Sequence, residues 1–300
     1  MSPVSIVLPV YNGAQYLKET LESILNQTYQ EFELIIINDG SKDESKNILD
    51  QYKNNSKITI IHQENMGLSK TLNKAISMAK YNLIARQDQD DISLPNRILK
   101  QVQFLDSNPD YGIVGSFAQI LEENILVNRF LKHPIQDNDI KTFLIFDTPF
   151  VHSSVMFRKN VFEQAGQYLE DPLLQPPEDY ELWSKMASIT KMKNLDEILI
   201  QYRELNSSMS RTMSEKFKKN ITIHNETFAR NLGINSSYEI PYLFHYYFPF
   251  NTHLNFYSIF KQYFNIYQKL HPPFHFLTDK CFYWHLKYLF KKYFKMLLRN

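Results

Sequence analysis

Three hundred residues with 43% hydrophobic content suffice for one large domain, or one domain with an appendage, around a sizeable core. The formal net charge of +1, from 33 Lys and Arg against 32 Asp and Glu, argues against a general nucleic-acid binder, and the single cysteine, Cys281, excludes an intramolecular disulfide and a cysteine-based metal site. The N-terminus lacks the basic flank and long apolar core of a signal peptide, and no uninterrupted apolar run approaches the roughly 20 residues that cross a bilayer, so the expected compartment is the cytoplasm.

Residues 4–8 form a short apolar run rich in β-branched side chains, closed by Pro9 and the turn signal Tyr11-Asn12-Gly13, and read as a buried strand. Leu17, Leu21, Ile24 and Leu25 then recur at helical spacing, so 14–27 reads as an amphipathic helix. A second strand over 32–37 ends in Asn38-Asp39-Gly40-Ser41. A helix over 43–52, a strand over 58–61, a helix marked by Leu68, Leu72, Ala75, Ile76 and Ala79, and a strand over 81–85 complete the rhythm. Such alternation predicts an α/β fold with a mostly parallel sheet flanked by helices, because parallel neighbours need crossover connections. Beyond the fourth strand come a helix over 94–107, with Ser93 as its N-cap, a hairpin of strands over 112–121 and 125–131, and a helical stretch over 139–146. A strand over 155–157, a helix opened by Glu178-Asp179, a strand over 195–202 and a polar loop over 203–212 follow.

In open α/β sheets ligands bind beyond the carboxyl ends of the strands. The turns after strands one, two and four, at 9–13, 38–41 and 87–91, should therefore share one crevice. The last of them crowds Asp88, Asp90 and Asp91 into four positions behind Arg86, and neighbouring carboxylates repel unless a cation, a proton or open water relieves them. One reading is a solvated turn that supports the next helix. The other is a pair of carboxylates, Asp88 and Asp90, that directs oxygens at a hard divalent cation also bound by pyrophosphate, with Arg86 as a further positive contact. Asp39 fits either an ordinary turn or a hydrogen bond to a nucleobase or ribose hydroxyl, and Tyr11 either a loop aromatic or a packing partner of the base. Glu178 and Asp179 fit the favoured acidic first turn of a helix, or a general base that takes a proton from an acceptor hydroxyl. His152 reads as a structural or substrate-contacting residue. Neither a Walker loop nor G-x-G-x-x-G occurs among the seven glycines, so a cradle of backbone amides for phosphate is not expected.

The ordered set Pro9-Val-Tyr-Asn-Gly13, Asn38-Asp39-Gly-Ser41, Arg86-Gln-Asp88-Gln-Asp90-Asp91, His152-Ser-Ser-Val-Met-Phe-Arg158, Glu178-Asp179-Tyr-Glu-Leu-Trp183 and Tyr202-Arg203 closely resembles the family 2 glycosyltransferases of GT-A fold, over roughly residues 3–210. The resemblance implies a Rossmann-like GT-A sheet and an inverting, metal-dependent transfer of one sugar from a UDP-sugar, such as UDP-N-acetylglucosamine, UDP-galactose or UDP-glucose. The acceptor would be a hydroxyl of a glycan or lipid-linked acceptor in bacterial surface polysaccharide or lipopolysaccharide assembly. It places Pro9, Tyr11, Asp39, Arg86 and Asp88 on the nucleotide-sugar side, Asp90 with Asp88 at Mn2+ or Mg2+, Arg203 near the pyrophosphate, Asp179 as catalytic base, and His152 and Glu178 towards the acceptor. Two positions depart from the family pattern: Gln89 stands where a small residue, commonly Ala, is usual, and Gln87 replaces a frequent Met. The Gln-x-x-Arg-Trp motif and membrane helices of processive synthases are absent from the sequence. The competing readings are a sugar nucleotidyltransferase, disfavoured because no glycine-rich basic loop follows the first strand, and a non-catalytic nucleotide-sugar binding protein.

The expected organisation is a catalytic domain over 1–212, with a nucleotide-sugar half to about 110 and an acceptor half beyond it, and a helical extension over 213–300. From 241 to 300 seven Lys and one Arg face a single acid, Asp279. Lys287, Lys291, Lys295 and Arg299 recur every four residues among aromatics and leucines, which fits either a helix packed on the catalytic domain or peripheral docking on the anionic inner face of the plasma membrane through 281–299.

Overall fold

In a computed structural model, the chain is described over residues 1–205 except 123, 145, 146, 175 and 176, together with 220, 223, 224 and 227. The domain boundary near 212 and the basic aromatic tail therefore lie outside the described residues. Among the described residues no helix is long and apolar enough to cross a membrane.

The first half is built as its hydrophobic rhythm demands. Strands β1 (Val4–Val10), β2 (Phe32–Asp39), β3 (Ile58–Gln63) and β4 (Leu83–Arg86) alternate with helices α1 (Ala14–Leu25), α2 (Ser45–Asp50) and α3 (Leu68–Met78). β1 pairs in parallel with β2 on one side and β4 on the other, and β2 pairs in parallel with β3. Both faces of β1, β2 and β4 are covered, which is why β1 and β2 read as nearly continuous apolar runs rather than alternating ones, whereas β3 at the edge is partly exposed. Val4, Ile6, Leu8, Leu34 and Ile36 face a core layer with Leu17, Leu21 and Ile24 of α1. The intervening Val7, Ile35 and Ile37 face the opposite layer with Leu72, Ala75 and Ile76 of α3, as a side-chain period of two requires.

The second half mixes strand directions. After β5 (Ile92–Ser93) and α4 (Arg97–Ser107) come β6 (Tyr111–Glu122), β7 (Ile125–Leu131), α5 (Asp137–Phe143), a 3-10 turn at His152–Ser154, β8 (Met156–Arg158), α6 (Lys159–Gln164), α7 (Glu178–Met186) and β9 (Lys191–Glu204). The strands join one nine-stranded sheet in the order β3-β2-β1-β4-β8-β6-β9-β5, with β7 hairpinned onto β6. β8 is antiparallel to both β4 and β6, whereas β6 and β9 run parallel. The α/β expectation holds, and the expected hairpin is β6–β7.

Three local readings change. α4 begins at Arg97, not 94, because Ser93 lies in β5 and pairs with Ile200 instead of capping the helix. β9 continues through Arg203 and Glu204, so Arg203 belongs to a strand rather than to a polar loop. The short elements β5 and α6 carry too few periodic apolar residues to be read from sequence.

Sheet order also locates the crevice. β2 and β3 extend to one side of β1 and β4 to the other, so the order reverses beside β1. The space beyond the carboxyl ends of β1 and β4 is the topological switch point, where a sheet of this kind accepts a ligand.

Candidate functional site

At this switch point the chain emerges from β4 into Arg86-Gln87-Asp88-Gln89-Asp90-Asp91. Arg86 is 2% exposed, although it is charged. Its Nη1 is paired with the Asp88 carboxylate, and its buried Nε has no hydrogen-bond partner among the described residues. Asp88 and Asp90 are partly exposed, so the turn opens to the crevice. Burial, and secondarily the charge of Asp88, push the Asp90 carboxyl up to about 6. Positive charge is thus favoured beside Asp90. Among the described residues no three His, Cys, Asp or Glu side chains gather to hold a metal alone. The two carboxylates, Asp88 and Asp90, fit a hard divalent cation that takes its remaining ligands from phosphate and water.

Asp91 belongs to the scaffold of this turn. It is 1% exposed and accepts hydrogen bonds from Ser153 Oγ and from the Arg203 backbone N–H, the latter at 2.7 Å. It neither faces the crevice nor caps α4. Behind the turn, buried Arg97 donates to Gln87 Oε1 at 2.7 Å, to the Arg86 carbonyl at 2.6 Å and to Ser93 Oγ at 2.8 Å. Thr20 of α1 donates to the carbonyls of Gln89 and Asp91 at 2.9 and 3.0 Å. Sequence reasoning missed Arg97, Ser153 and Thr20; only the His152-Ser-Ser motif carried any signal for one of them.

Arg203, expected at the pyrophosphate, is 1% exposed in this structure. Its guanidinium donates to the Asp90 carbonyl at 2.8 Å, to Asn124 Oδ1 at 2.7 Å and to Glu19 Oε2 at 2.6 Å, and it stacks 4.1 Å over the Tyr16 ring. One side chain thereby joins β9, α1, the β6–β7 turn and the acidic turn.

Asp39, at the end of β2, is 4% exposed. Its carboxylate accepts from Gln63 Nε2 at 2.7 Å and from the backbone N–H groups of Met66 and Gly67 at 2.8 and 3.0 Å. A carboxylate offers about four acceptor positions, so one remains beyond this loop-fixing role. Gly40 follows at φ +76, where an added Cβ would stand 2.7 Å from the backbone nitrogen of Asn65, so only glycine fits the turn. On the neighbouring strand end, Pro9 lies within β1 and Tyr11 is 47% exposed at the mouth.

The opposite wall is acidic and aromatic. α7 opens with Glu178 and Asp179, an acidic first turn that suits the helix dipole. Trp183, one turn later, sits in edge contact with Phe150, His152 and Phe157, which fixes the start of the helix against the 3-10 turn. His152 Nε2 lies 2.8 Å from Tyr168 Oη, and its Nδ1 lies 3.8 Å from Glu178 Oε1. Burial holds the imidazole well below its ordinary range and the Tyr168 phenol well above, so both are neutral near pH 7. Burial, with the Asp179 charge next, pushes Glu178 up to about 7, and burial pushes Asp179 up to about 6. Arg86 lowers the carboxyl values of Asp90, Glu178 and Asp179 alike, so all three lie within electrostatic reach of one buried cation. The arrangement offers a cation-accepting turn on one side and a carboxylate poised to take a proton near neutral pH on the other.

The sequence model described as "Glycosyl transferase family 2" matches residues 5–166. The O-antigen biosynthesis glycosyltransferase WbnJ of Escherichia coli is 34% identical over 214 residues, which cover 70% of this chain and 82% of WbnJ. Among solved structures, residues 1–349 of TarS from S. aureus in complex with UDP-GlcNAc superimpose with a TM-score of 0.63 at 16% identity, covering 90% of this chain and 82% of that one. The mannosyltransferase PcManGT from Pyrobaculum calidifontis, in complex with GDP-Man and Mn2+, superimposes with a TM-score of 0.57 at 15% identity, covering 100% of this chain and 88% of that one.

Proposed function

Because the chain belongs to glycosyl transferase family 2, we propose that it is an inverting transferase that moves one sugar from a UDP-sugar to a hydroxyl of a glycan or lipid-linked acceptor, in the assembly of a bacterial surface polysaccharide. The observation that carries this reading is buried Arg86 at the switch point of the sheet, paired with the Asp88 carboxylate and within electrostatic reach of Asp90, Glu178 and Asp179. The similarity to WbnJ supports the surface-glycan assignment, and the UDP-GlcNAc bound by TarS supports the donor class.

In the proposed reaction the nucleotide lies across the ends of β1, β2 and β4. Pro9 and Tyr11 flank the base, and the remaining acceptor position of Asp39 meets a base N–H or ribose hydroxyl. Asp88 faces the sugar diphosphate, and Arg86, paired with the Asp88 carboxylate, supplies positive charge behind it. Asp88 and Asp90 would hold a divalent cation, Mn2+ or Mg2+, which when bound offsets the negative charge that develops on the departing diphosphate. Asp179 removes the proton from the acceptor hydroxyl, the oxygen attacks the anomeric carbon from the face opposite the diphosphate, and the glycosidic bond forms as the bond to UDP breaks. A carboxyl held near 6 is suited to this task, being deprotonated at neutral pH yet more basic than an ordinary aspartate. Glu178 and neutral His152 line the acceptor side. We assign Arg203 to holding the carbonyl of Asp90 and the carboxylate of Asp91, and so the shape of the cation-binding turn.

The test is UDP release from a panel of UDP-sugars, with and without Mn2+ or Mg2+. Release from one UDP-sugar with a suitable acceptor, abolished by a chelator, is the expected result. Pyrophosphate formation from a sugar phosphate and a nucleoside triphosphate would overturn it.

A further inference from the structure

Between Asp88 and Asp90 stands Gln89, at a position where the family pattern has a small residue. Its side chain reaches back across the switch point to the end of β1. Gln89 Oε1 accepts the Tyr11 backbone N–H at 2.8 Å, and Gln89 Nε2 donates to the Tyr11 backbone carbonyl at 3.0 Å. The orientation of the amide is fixed by chemistry, since only its oxygen can face an N–H and only its nitrogen can face a carbonyl. Both backbone groups of one residue on the nucleotide-facing loop are thus tied to the middle of the acidic turn. From the other side, buried Thr20 holds the Gln89 carbonyl, so the base of this clamp is anchored on α1.

Gly13 is the counterpart of the clamp. Its backbone, φ −106 and ψ 8, is open to any residue. What excludes a side chain is space: an added Cβ would stand 2.3 Å from Gln89 Oε1 and 2.5 Å from its Cδ. Gln89 and Gly13 form a matched pair, in which the absence of a side chain at one position makes room for the amide of the other.

We propose that Gln89 is a positioning residue for the donor. It locks the loop that presents Tyr11 to the turn that presents Asp88 and Asp90, so that the walls facing the base and the diphosphate keep a fixed spacing before a nucleoside diphosphate arrives. This inference rests on the nucleotide-sugar reading of the site. Without the clamp, the two walls are ordered only at the expense of binding, and affinity falls while the chemical step is untouched.

The experiment measures UDP binding by calorimetry in the presence of Mn2+, and donor KM and kcat, for the wild type, Gln89→Ala, Gly13→Ala and the double variant. Loss of two backbone hydrogen bonds predicts binding about tenfold weaker in Gln89→Ala, with donor KM raised to match and kcat within about twofold of wild type. Gly13→Ala, by expelling the amide, should reproduce this loss. The double variant should be no weaker than either single one, because the space is then free. Hydrogen exchange at the Tyr11 amide should accelerate in all three. Wild-type affinity in Gln89→Ala, additive losses in the double variant, or a fall in kcat alone would overturn the inference while leaving the donor reading standing. A wild-type protein that binds no UDP would overturn the donor reading and the inference with it.

Discussion

Replacing Asp179 with asparagine separates what this carboxylate does for the reaction from its effect on the fold. Burial raises its carboxyl from 3.8 to about 6. Unfolding returns it to the ordinary value, so between about pH 4 and 6 the folded chain binds more protons than the unfolded one. The resulting stability is fully present below the unfolded value and is lost as pH rises through about 6. At pH 7.5 the charged side chain therefore weighs against the fold. Each pH unit of displacement corresponds to about 1.4 kcal/mol, and because Asp179 is partly exposed water screens a share of it, leaving roughly 1–2 kcal/mol. Asparagine has the same shape, carries no charge and keeps an oxygen for the Tyr180 N–H that Asp179 now accepts at 2.7 Å. Asp179→Asn should accordingly unfold at higher urea than wild type at pH 7.5, with the gain vanishing near pH 4. Its UDP release in the presence of acceptor should fall by roughly 10²- to 10⁴-fold, the usual contribution of general-base assistance. A variant that turns over like wild type refutes Asp179 as the base. One that is less stable at pH 7.5 refutes the electrostatic reasoning.

The pH profile of kcat/KM provides an independent check: a base near 6 gives a rate that drops about tenfold per unit below that pH and levels off above it, whereas a rate unchanged down to pH 4.5 would exclude a raised carboxyl. Arg203→Met keeps the bulk of the side chain but removes the donors to Asp90, Asn124 and Glu19. Its expected cost is about 2–4 kcal/mol in urea unfolding, and a loss under 1 kcal/mol would show that the clamp carries little. Gly40→Ala forces a left-handed backbone onto a residue with a Cβ and drives that atom against Asn65. A destabilisation of about 1–3 kcal/mol is expected, and a neutral result would contradict the turn geometry.

Much of the first half of the fold is legible in the chain because its signals are local. The uninterrupted runs of β1 and β2 announce strands covered on both faces, since alternate residues such as Ile6 and Val7 must both be buried, and the intervening helices force parallel pairing. Turn residues at the strand ends then bring Tyr11, Asp39 and the acidic cluster to one edge without any knowledge of side-chain contacts. The second half is less readable because its strands follow no such alternation: β8 runs antiparallel between β4 and β6, and β9 joins β6 only after β7, β8 and three intervening α-helices.

The sequence by itself determined the parallel first half of the sheet, the edge where its turns meet and the acids gathered there. Tertiary structure alone decided which of those acids are braced inside the scaffold and which stay partly open. Asp91 looks like its neighbours in sequence, yet Ser153 and the Arg203 backbone, 62 and 112 positions away, take it out of the crevice. Arg203 looks like a loop cation, yet Glu19, 184 positions distant, and the Asp90 carbonyl fix it within the scaffold. The physical reason is range: hydrophobic period and turn chemistry act over a few residues, whereas the burial and hydrogen bonding that decide whether a carboxylate braces a loop, accepts a cation or takes a proton are set by partners that only the completed sheet brings together.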